Sequence, residues 1–356
     1  MNNVYIKSLG YYIPRGRLKN EEILAKVQAA NENLLSPEDL ELILYGDNRK
    51  FEFLGIKTRS ACREEDHDNI VTMAVKAAQN ALLKASLTAA QIDLLIVSGV
   101  TNPFREPSLA IVLAKQLELQ SGDFFDINDT CNGFMKSIDV ASQYIKSGKY
   151  RNILLVTSEN PYEIAAGLGI DYRLKSIEEV DNKFSTLLVG SGAAAMVLSA
   201  SGERKEIVNY AEKRETVNWD ASVLTIPNIN LPESKMGTQS CGIWTDARLV
   251  SAQVIKDVPD FIKNTAAQWG MTIADINVIV MHQLGNNVTF ATLDGLQINH
   301  DKAPVNTFSE FGNMASANIP VNLALAAEAG FIKEGDSVLL ISSACGLSYS
   351  LIHLKW

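Results

Sequence analysis

The stretch Phe124-Phe125-Asp126-Ile127-Asn128-Asp129-Thr130-Cys131-Asn132-Gly133-Phe134 decides the fold. An apolar strand ends in it, a short Asn/Asp/Thr corner follows, and a cysteine sits where a long amphipathic helix is predicted to begin. A thiol there faces unpaired N–H groups and the positive end of the helix dipole. That setting predicts a thiolate-prone, nucleophilic Cys131. Taken alone, the same residue reads equally as a small buried side chain that only packs.

Reading outward, the upstream neighbours are a helix over residues 68–85 and the strand Ile92-Asp93-Leu94-Leu95-Ile96-Val97-Ser98. In the helix Val71, Ala74, Val75, Ala78 and Leu82 recur on one face. The strand is continuously apolar after its start, as in a parallel sheet covered on both faces. A helix over about 108–117 leads into the quoted stretch. Downstream come a helix from Cys131 to about Ser147 and a strand over 153–157. Strand alternating with helix predicts a layered α/β architecture. Residues 159–182, with Pro161, Gly167 and Gly169, break this pattern and read as an insertion over a surface or cleft. The Gly-rich run Val189-Gly190-Ser191-Gly192 fits neither a phosphate loop nor a dinucleotide fingerprint, and reads as close backbone packing.

The second half echoes the first. Leu87-Thr88-Ala89-Ala90-Gln91-Ile92-Asp93-Leu94-Leu95-Ile96 parallels Met271-Thr272-Ile273-Ala274-Asp275-Ile276-Asn277-Val278-Ile279-Val280, each after an amphipathic helix. Tyr144-Ile145-Lys146-Ser147-Gly148 with the strand after it parallels Phe331-Ile332-Lys333-Glu334-Gly335 with the strand at 338–341. Two similar halves are therefore expected, residues 1–180 and 181–356, with an approximate boundary near 170–210. A pseudo-twofold between them brings corresponding strand ends to one central site.

Composition sets outer limits. A chain of 356 residues with 47% hydrophobic content suffices for a large core or two fused domains. No apolar run reaches the roughly 18 residues of a membrane span, and the start of the chain leads directly into a strand-like segment, so no membrane insertion and a cytoplasmic location are expected. The four cysteines lack Cys-x-x-Cys spacing, which argues against a zinc site or disulfide framework. A net charge of −9 argues against general nucleic-acid binding. Neither metal nor cofactor is expected.

Ligand sites in α/β sheets form beyond the carboxyl ends of strands. The polar residues there are Cys131, His282-Gln283 after the strand 278–281, Gly312-Asn313 before a helix near Ser316, and Ser343-Ala344-Cys345-Gly346 after the strand 338–341. An imidazole suits a nucleophilic thiol, and an asparagine can hold a developing oxyanion. Singly, His282 reads as a core histidine and Asn313 as a turn residue; jointly the three are hard to explain as packing.

With these residues in place, the chain resembles thiolase-superfamily condensing enzymes of the ketoacyl synthase III type over nearly its whole length. Thr130-Cys131-Asn132-Gly133-Phe134, His282-Gln283 and Phe311-Gly312-Asn313-Met314-Ala315-Ser316-Ala317-Asn318-Ile319-Pro320 carry the resemblance. Tyr144-Ile145-Lys146-Ser147-Gly148 and Cys345-Gly346-Leu347-Ser348 add to it. The resemblance implies a five-layered α-β-α-β-α thiolase fold in a homodimer. It implies that Cys131 takes an acyl group from a thioester, while His282 and Asn313 stabilise the enolate of a second thioester. The backbone amides of Cys131 and of the Cys345-Gly346 turn would form the oxyanion hole.

Glu106, in Asn102-Pro103-Phe104-Arg105-Glu106-Pro107-Ser108, separates the subgroups. Chain-initiating synthases are apolar at the matching position, on a loop that reaches the partner subunit. A carboxylate there resembles the head-to-head olefin-pathway enzymes and the α-pyrone and dialkylresorcinol synthases. A substrate with no carboxylate to lose must give up an α-proton, so a base is needed. A helix-start Glu favoured by the dipole is the plainer reading of the same residue. The implied function is a non-decarboxylative Claisen condensation of two acyl or β-ketoacyl thioesters. Rivals are a decarboxylative ketoacyl-carrier-protein synthase III using malonyl-carrier, a non-catalytic acyl-binding subunit, and a hydroxymethylglutaryl-type synthase. Two departures bear on the carrier. Asn48-Arg49-Lys50-Phe51-Glu52-Phe53-Leu54 lacks the tryptophan that family members stack on coenzyme A, and Leu284-Gly285-Asn286-Asn287-Val288 lacks their basic residue. Both acyl-CoA and acyl carrier protein thioesters are therefore expected as candidate partners.

Overall fold

A computed structural model describes residues 2–161, 172–225 and 242–356. Cys241 and part of the expected insertion, residues 162–171 with Gly167 and Gly169, lie outside the described residues. Thirteen strands are described, and nine of them form one sheet in the order β11-β12-β13-β8-β1-β7-β6-β4-β5. Helices of at least two turns are numbered here as α1 (Asn20–Asn31), α2 (Pro37–Leu54), α3 (Ile70–Ala85), α4 (Leu109–Gln116), α5 (Gly133–Lys146), α6 (Ala247–Gln268), α7 (Asn286–Gly295) and α8 (Asn318–Glu328). Among the described residues no helix is long and apolar enough to cross a membrane.

The sheet repeats its own pattern. On one side β4 (Leu94–Ser98) lies parallel to β6 (Asn152–Glu159), which is antiparallel to β7 (Gly192–Ser199), which is antiparallel to β1 (Tyr5–Tyr12). On the other, β11 (Val278–Met281) lies parallel to β12 (Ser337–Ala344), antiparallel to β13 (Ser348–Lys355), antiparallel to β8 (Glu206–Arg214). Among the described residues the two sets join within the sheet at β1 and β8, through the pair Tyr5–Glu206 and the bonds Ile6 N–H to Lys205 O and Ile207 N–H to Val4 O, both 2.9 Å. The helix–strand order repeats too: α3-β4 and α5-β6-β7 match α6-β11 and α8-β12-β13. Residues 192–199, on the far side of the expected 180/181 division, pair with β1 and β6 of the first set.

Strand periodicity builds the layers, because successive side chains leave opposite faces. In β4, Leu94 and Ile96 enter the central layer with Phe134, Ile138 and Ile145 of α5 and Ile319 and Leu323 of α8. Leu95 and Val97 point the other way, onto Met73, Ala77 and Ala81 of α3 and Leu109 and Leu113 of α4. In β11, Val278 and Val280 join the same central layer, and Ile279 and Met281 meet Val254, Val258 and Ile262 of α6. The stacking is thus α3/α4, first strand set, α5/α8, second strand set, α6/α7. That is the five-layered thiolase arrangement. A strand buried on both faces must be apolar at every position, which explains the unbroken runs in the sequence.

This arrangement positions the site. The parallel strands β4, β5 (Asp123–Ile127) and β6 end together, as do β11 and β12. Their carboxyl ends deliver, in turn, the loop holding Glu106, then Cys131, Glu159, His282 and Cys345.

Candidate active site

Cys131 sits on the corner between β5 and α5, not inside the helix as its sequence predicts; the helix starts at Gly133 with Asn132 as its cap residue. Thr130, immediately before it, has a φ of 49°, a left-handed conformation that costs a threonine free energy. Several bonds hold this corner. Thr130 N–H donates to Asn128 Oδ1 at 3.2 Å, and the Thr130 hydroxyl to Cys345 O at 3.5 Å. Arg214 grips Asp129 with two bonds of 2.9 Å, and the buried Asn132 amide donates to Ser348 Oγ at 2.7 Å. A Cβ on Gly133 would come within 3.1 Å of Ser98 Cβ, so any larger residue there would have to push Ser98 back by a few tenths of an ångström. The two halves are therefore tied together at the nucleophile candidate itself.

Burial pushes the Cys131 thiol well above its ordinary range, and Cys345 and Glu159 push it in the same direction. The expected thiolate is therefore not the resting species. The helix end is too weak to offset desolvation beside a carboxylate.

His282 follows β11, its N–H donating to Ile341 O at 2.8 Å. The ring is 5% exposed, and neither ring nitrogen has a hydrogen bond among the described residues. Burial lowers its pKa to about 4, so the imidazole is neutral at ordinary pH. Gln283 fixes the backbone behind it: its Nε2 donates to Val305 O, and its Oε1 accepts from Thr307 N–H and Phe308 N–H.

Asn313 is locked between two backbones. Its N–H donates to Leu188 O at 2.8 Å and its carbonyl accepts from Gly190 N–H at 2.9 Å. Its side-chain oxygen accepts from Ala315 N–H at 2.9 Å, so the amide nitrogen remains the side chain's donor. Gly312, at φ 75°, passes so close to Leu188 O that a Cβ would lie 2.6 Å from it.

A cavity of about 760 Å³ brings these loops together. Cys131, Asn313 and Cys345 line it; His282, Gly346 and Glu106 are not among the lining residues, although Leu284, two positions past His282, is. Its walls come from both halves. The first half supplies Val97, Val100, Phe104, Leu109 and Ile127, and the second half Val223, Leu224, Ile243, Val250, Val254 and Leu284. Cys345 begins the turn after β12, where burial raises its thiol pKa and the Ser222 hydroxyl opposes the rise. Glu106 is exposed at the outer end of its loop.

Two carboxylates in this wall escape a motif-based reading. Glu159 is fully buried at the end of β6. Its carboxylate accepts from Val100 N–H and Thr101 N–H, both at 3.0 Å, from the Thr101 hydroxyl at 2.6 Å, and from the Ser316 hydroxyl. It thus bridges the loop after β4 to the loop after Asn313; burial raises its pKa and these donors oppose the rise. Asp126, on β5, accepts from Asn102, Leu109 and Ala110. The one sequence signal for Glu159 is a charge closing an otherwise apolar strand.

Two duplicated strand sets around a shared helical layer, with loops from both meeting over one cavity, define the thiolase-fold condensing enzymes. Comparison with known proteins agrees. Family models for 3-oxoacyl-[acyl-carrier-protein (ACP)] synthase III match residues 125–215, and for its C-terminal part residues 266–356. The chain is 29% identical over 327 residues to a beta-ketoacyl-[acyl-carrier-protein] synthase III 2 of Vibrio vulnificus, covering 91% of this chain and 84% of that one. It is 27% identical over 356 residues to the corresponding synthase III of Clostridium novyi, covering both chains fully. Among solved structures, 3-oxoacyl-[acyl-carrier-protein] synthase III from Aquifex aeolicus superimposes with a TM-score of 0.79 at 25% identity, covering 99% of this chain and 100% of that one. Xanthomonas campestris OleA with bound lauric acid and lauroyl-CoA shares the fold with a TM-score of 0.83 at 23% identity, covering 99% of each chain. The chain belongs to the ketoacyl synthase III-like condensing enzymes of the thiolase superfamily, acyltransferases that form carbon–carbon bonds.

Proposed function

We propose that this ketosynthase joins two acyl groups without decarboxylation. Cys131 Sγ attacks the carbonyl of a first acyl thioester, from coenzyme A or a carrier protein. The S-acyl bond forms, the carrier thiol leaves, and the thiol proton goes with it. A second acyl or β-ketoacyl thioester then enters, and the Glu106 carboxylate of a neighbouring copy removes its α-proton. The enolate carbon attacks the acyl-Cys131 carbonyl, the new C–C bond forms, and the Cys131 thiolate leaves and regains the proton. The product is a β-keto thioester, open to cyclisation to a pyrone or dione.

The observation that carries this reading is the cavity. Its apolar lining comes from both halves of the chain, with Cys131 among the lining residues, which suits two acyl chains sharing one nucleophile. The likeness to OleA, which binds lauric acid and lauroyl-CoA in its own structure, supports long acyl thioesters as the substrate class. The chemistry of the remaining residues fits. A neutral His282 donates one ring N–H to the thioester oxygen that becomes an enolate, and Asn313 adds its free amide N–H. The N–H groups of Cys131 and of the Cys345-Gly346 turn suit the acyl-transfer oxyanion.

Glu106 is exposed in the single chain, with no hydrogen bond or ion pair among the described residues, which suits a side chain used by another copy. Among the described residues β5 has one strand neighbour, β4, and its Asp126 is hydrogen-bonded to the same loop, so pairing of two copies along β5 would carry Glu106 across. A second reading, decarboxylative condensation with malonyl-carrier, is favoured by the names of the curated relatives. The test of the residue roles is intact-protein mass after exposure to an acyl thioester. Glu106→Gln is expected to acquire the acyl group and fail to condense it, whereas Cys131→Ala acquires none. Acyl transfer to Cys131→Ala protein, or full condensation by Glu106→Gln, removes the corresponding role.

A further inference from the structure

The loop between β4 and α4 leaves the sheet near Gly99 and returns at Leu109, with Glu106 near its outer end. One side chain fastens both of its feet. Asp126 Oδ2 accepts from the Asn102 side-chain N–H at 2.9 Å, on the outgoing strand of the loop. The same oxygen accepts from Leu109 N–H at 2.9 Å, and Oδ1 from Ala110 N–H at 2.8 Å, both on the returning strand. Asn102 passes the restraint on, its Oδ1 accepting from Phe104 N–H at 2.9 Å. Glu106 therefore sits on a bridge whose two anchors converge on one carboxylate.

The position of that carboxylate matters. Asp126 stands on β5, opposite Val97 of β4, and the corner that follows this strand reaches Cys131 five residues later. The loop that presents Glu106 and the corner that presents Cys131 are thus referenced to a single strand. A plain helix-capping role accounts for only part of this. Ser108 is already the cap residue of α4, accepting from Ile111 N–H at 3.3 Å, and a cap has no use for Asn102. Nor is Asp126 itself suited to proton abstraction, because three of the roughly four lone-pair sites of a carboxylate already hold donors.

We infer that Asp126, with Asn102, is a positioning residue that fixes the Glu106 loop in the shape needed to place its carboxylate in the cavity of a neighbouring copy. This rests on the proposed role of Glu106 as the α-proton base. Removing the restraint leaves the base present but misplaced. Misplacement by about 1 Å costs up to about a hundredfold in rate, and it falls on condensation, which uses the base, more than on acylation, which does not.

The experiment compares Asp126→Asn and Asn102→Ala in the full-length protein, the second leaving the Leu109 and Ala110 bonds to α4 intact. Cys131 acylation is followed by intact mass and condensation by product mass, with lauroyl thioester as the probe. Condensation is expected to fall about tenfold or more beyond any fall in acylation, and hydrogen exchange of peptides covering 100–108 to speed up. Adding either change to Glu106→Gln is expected to cost nothing further, because the base it positions is gone. If Glu106→Gln abolishes condensation while Asp126→Asn and Asn102→Ala lower both steps equally, positioning is overturned and the base stands. Full condensation by Glu106→Gln overturns the base itself, and this role with it.

Discussion

At the residue scale, burial holds two groups neutral, His282 and Cys131. His282 is protonated in the unfolded chain below its ordinary pKa near 6.5 but stays neutral in the fold down to about pH 4. The unfolded state therefore binds the extra proton as pH falls through this window, and stability is lost from about pH 6.5 downward. Between pH 7 and pH 5 the loss from this one residue is about 2 kcal/mol. Urea titrations of wild type and His282→Gln at both pH values check it: the wild type is expected to lose more stability on acidification by that amount, and equal losses contradict a buried neutral ring. Cys131 taught the opposite lesson from the one its helix end suggests. The sequence shows the dipole, which is local, but not the Glu159 carboxylate and Cys345 thiol brought beside it from distant strands.

At the element scale, the Asn313 loop depends on backbones packed without side chains between them. A Cβ on Gly190 would lie 1.8 Å from Phe311 O, while Gly190 N–H must reach Asn313 O. Gly190→Ala is expected to destabilise the protein by about 1–3 kcal/mol and to lower condensation more than Cys131 acylation, since Asn313 is what moves. Gly46→Ala in α2, where nothing lies within 4 Å of the new Cβ, is the control and leaves both steps unchanged; thermal melts and the two assays compare them. The Gly-rich run 189–192 was readable as close backbone packing, but not its partner: the 311–313 segment lies over 100 positions away. Glu159 was illegible for the same reason. Its partners Thr101 and Ser316 are 58 and 157 positions distant, and a glutamate ending a strand carries no local mark of the donors that converge on it. Cys131 and His282 stood out because each follows an apolar strand, and Asn313 because it stands with Gly312 in the loop before a helix, patterns the one-dimensional chain preserves.

At the scale of the whole molecule, duplication is what the sequence exposed best, since repeated hydrophobic periods survive where identities do not. The place where the halves part was less visible. β7 lies past the expected 180/181 division but within the approximate 170–210 boundary, and it pairs onto β1 and β6; we place the division between Ser199 and Glu206, where the narrow β1–β8 joint links the sets. Strand pairing between residues nearly 200 positions apart is set by packing, not by local pattern. The same scale holds the central claim, that two acyl groups meet on one cysteine without loss of carbon. The direct measurement is product mass from wild-type protein given lauroyl thioester and a β-ketoacyl thioester, with malonyl-carrier omitted or added. The account predicts a condensed product that keeps every carbon of both acyl groups and forms at the same rate without malonyl. Product that appears only with malonyl-carrier, with one carbon dioxide released per turnover, would contradict it.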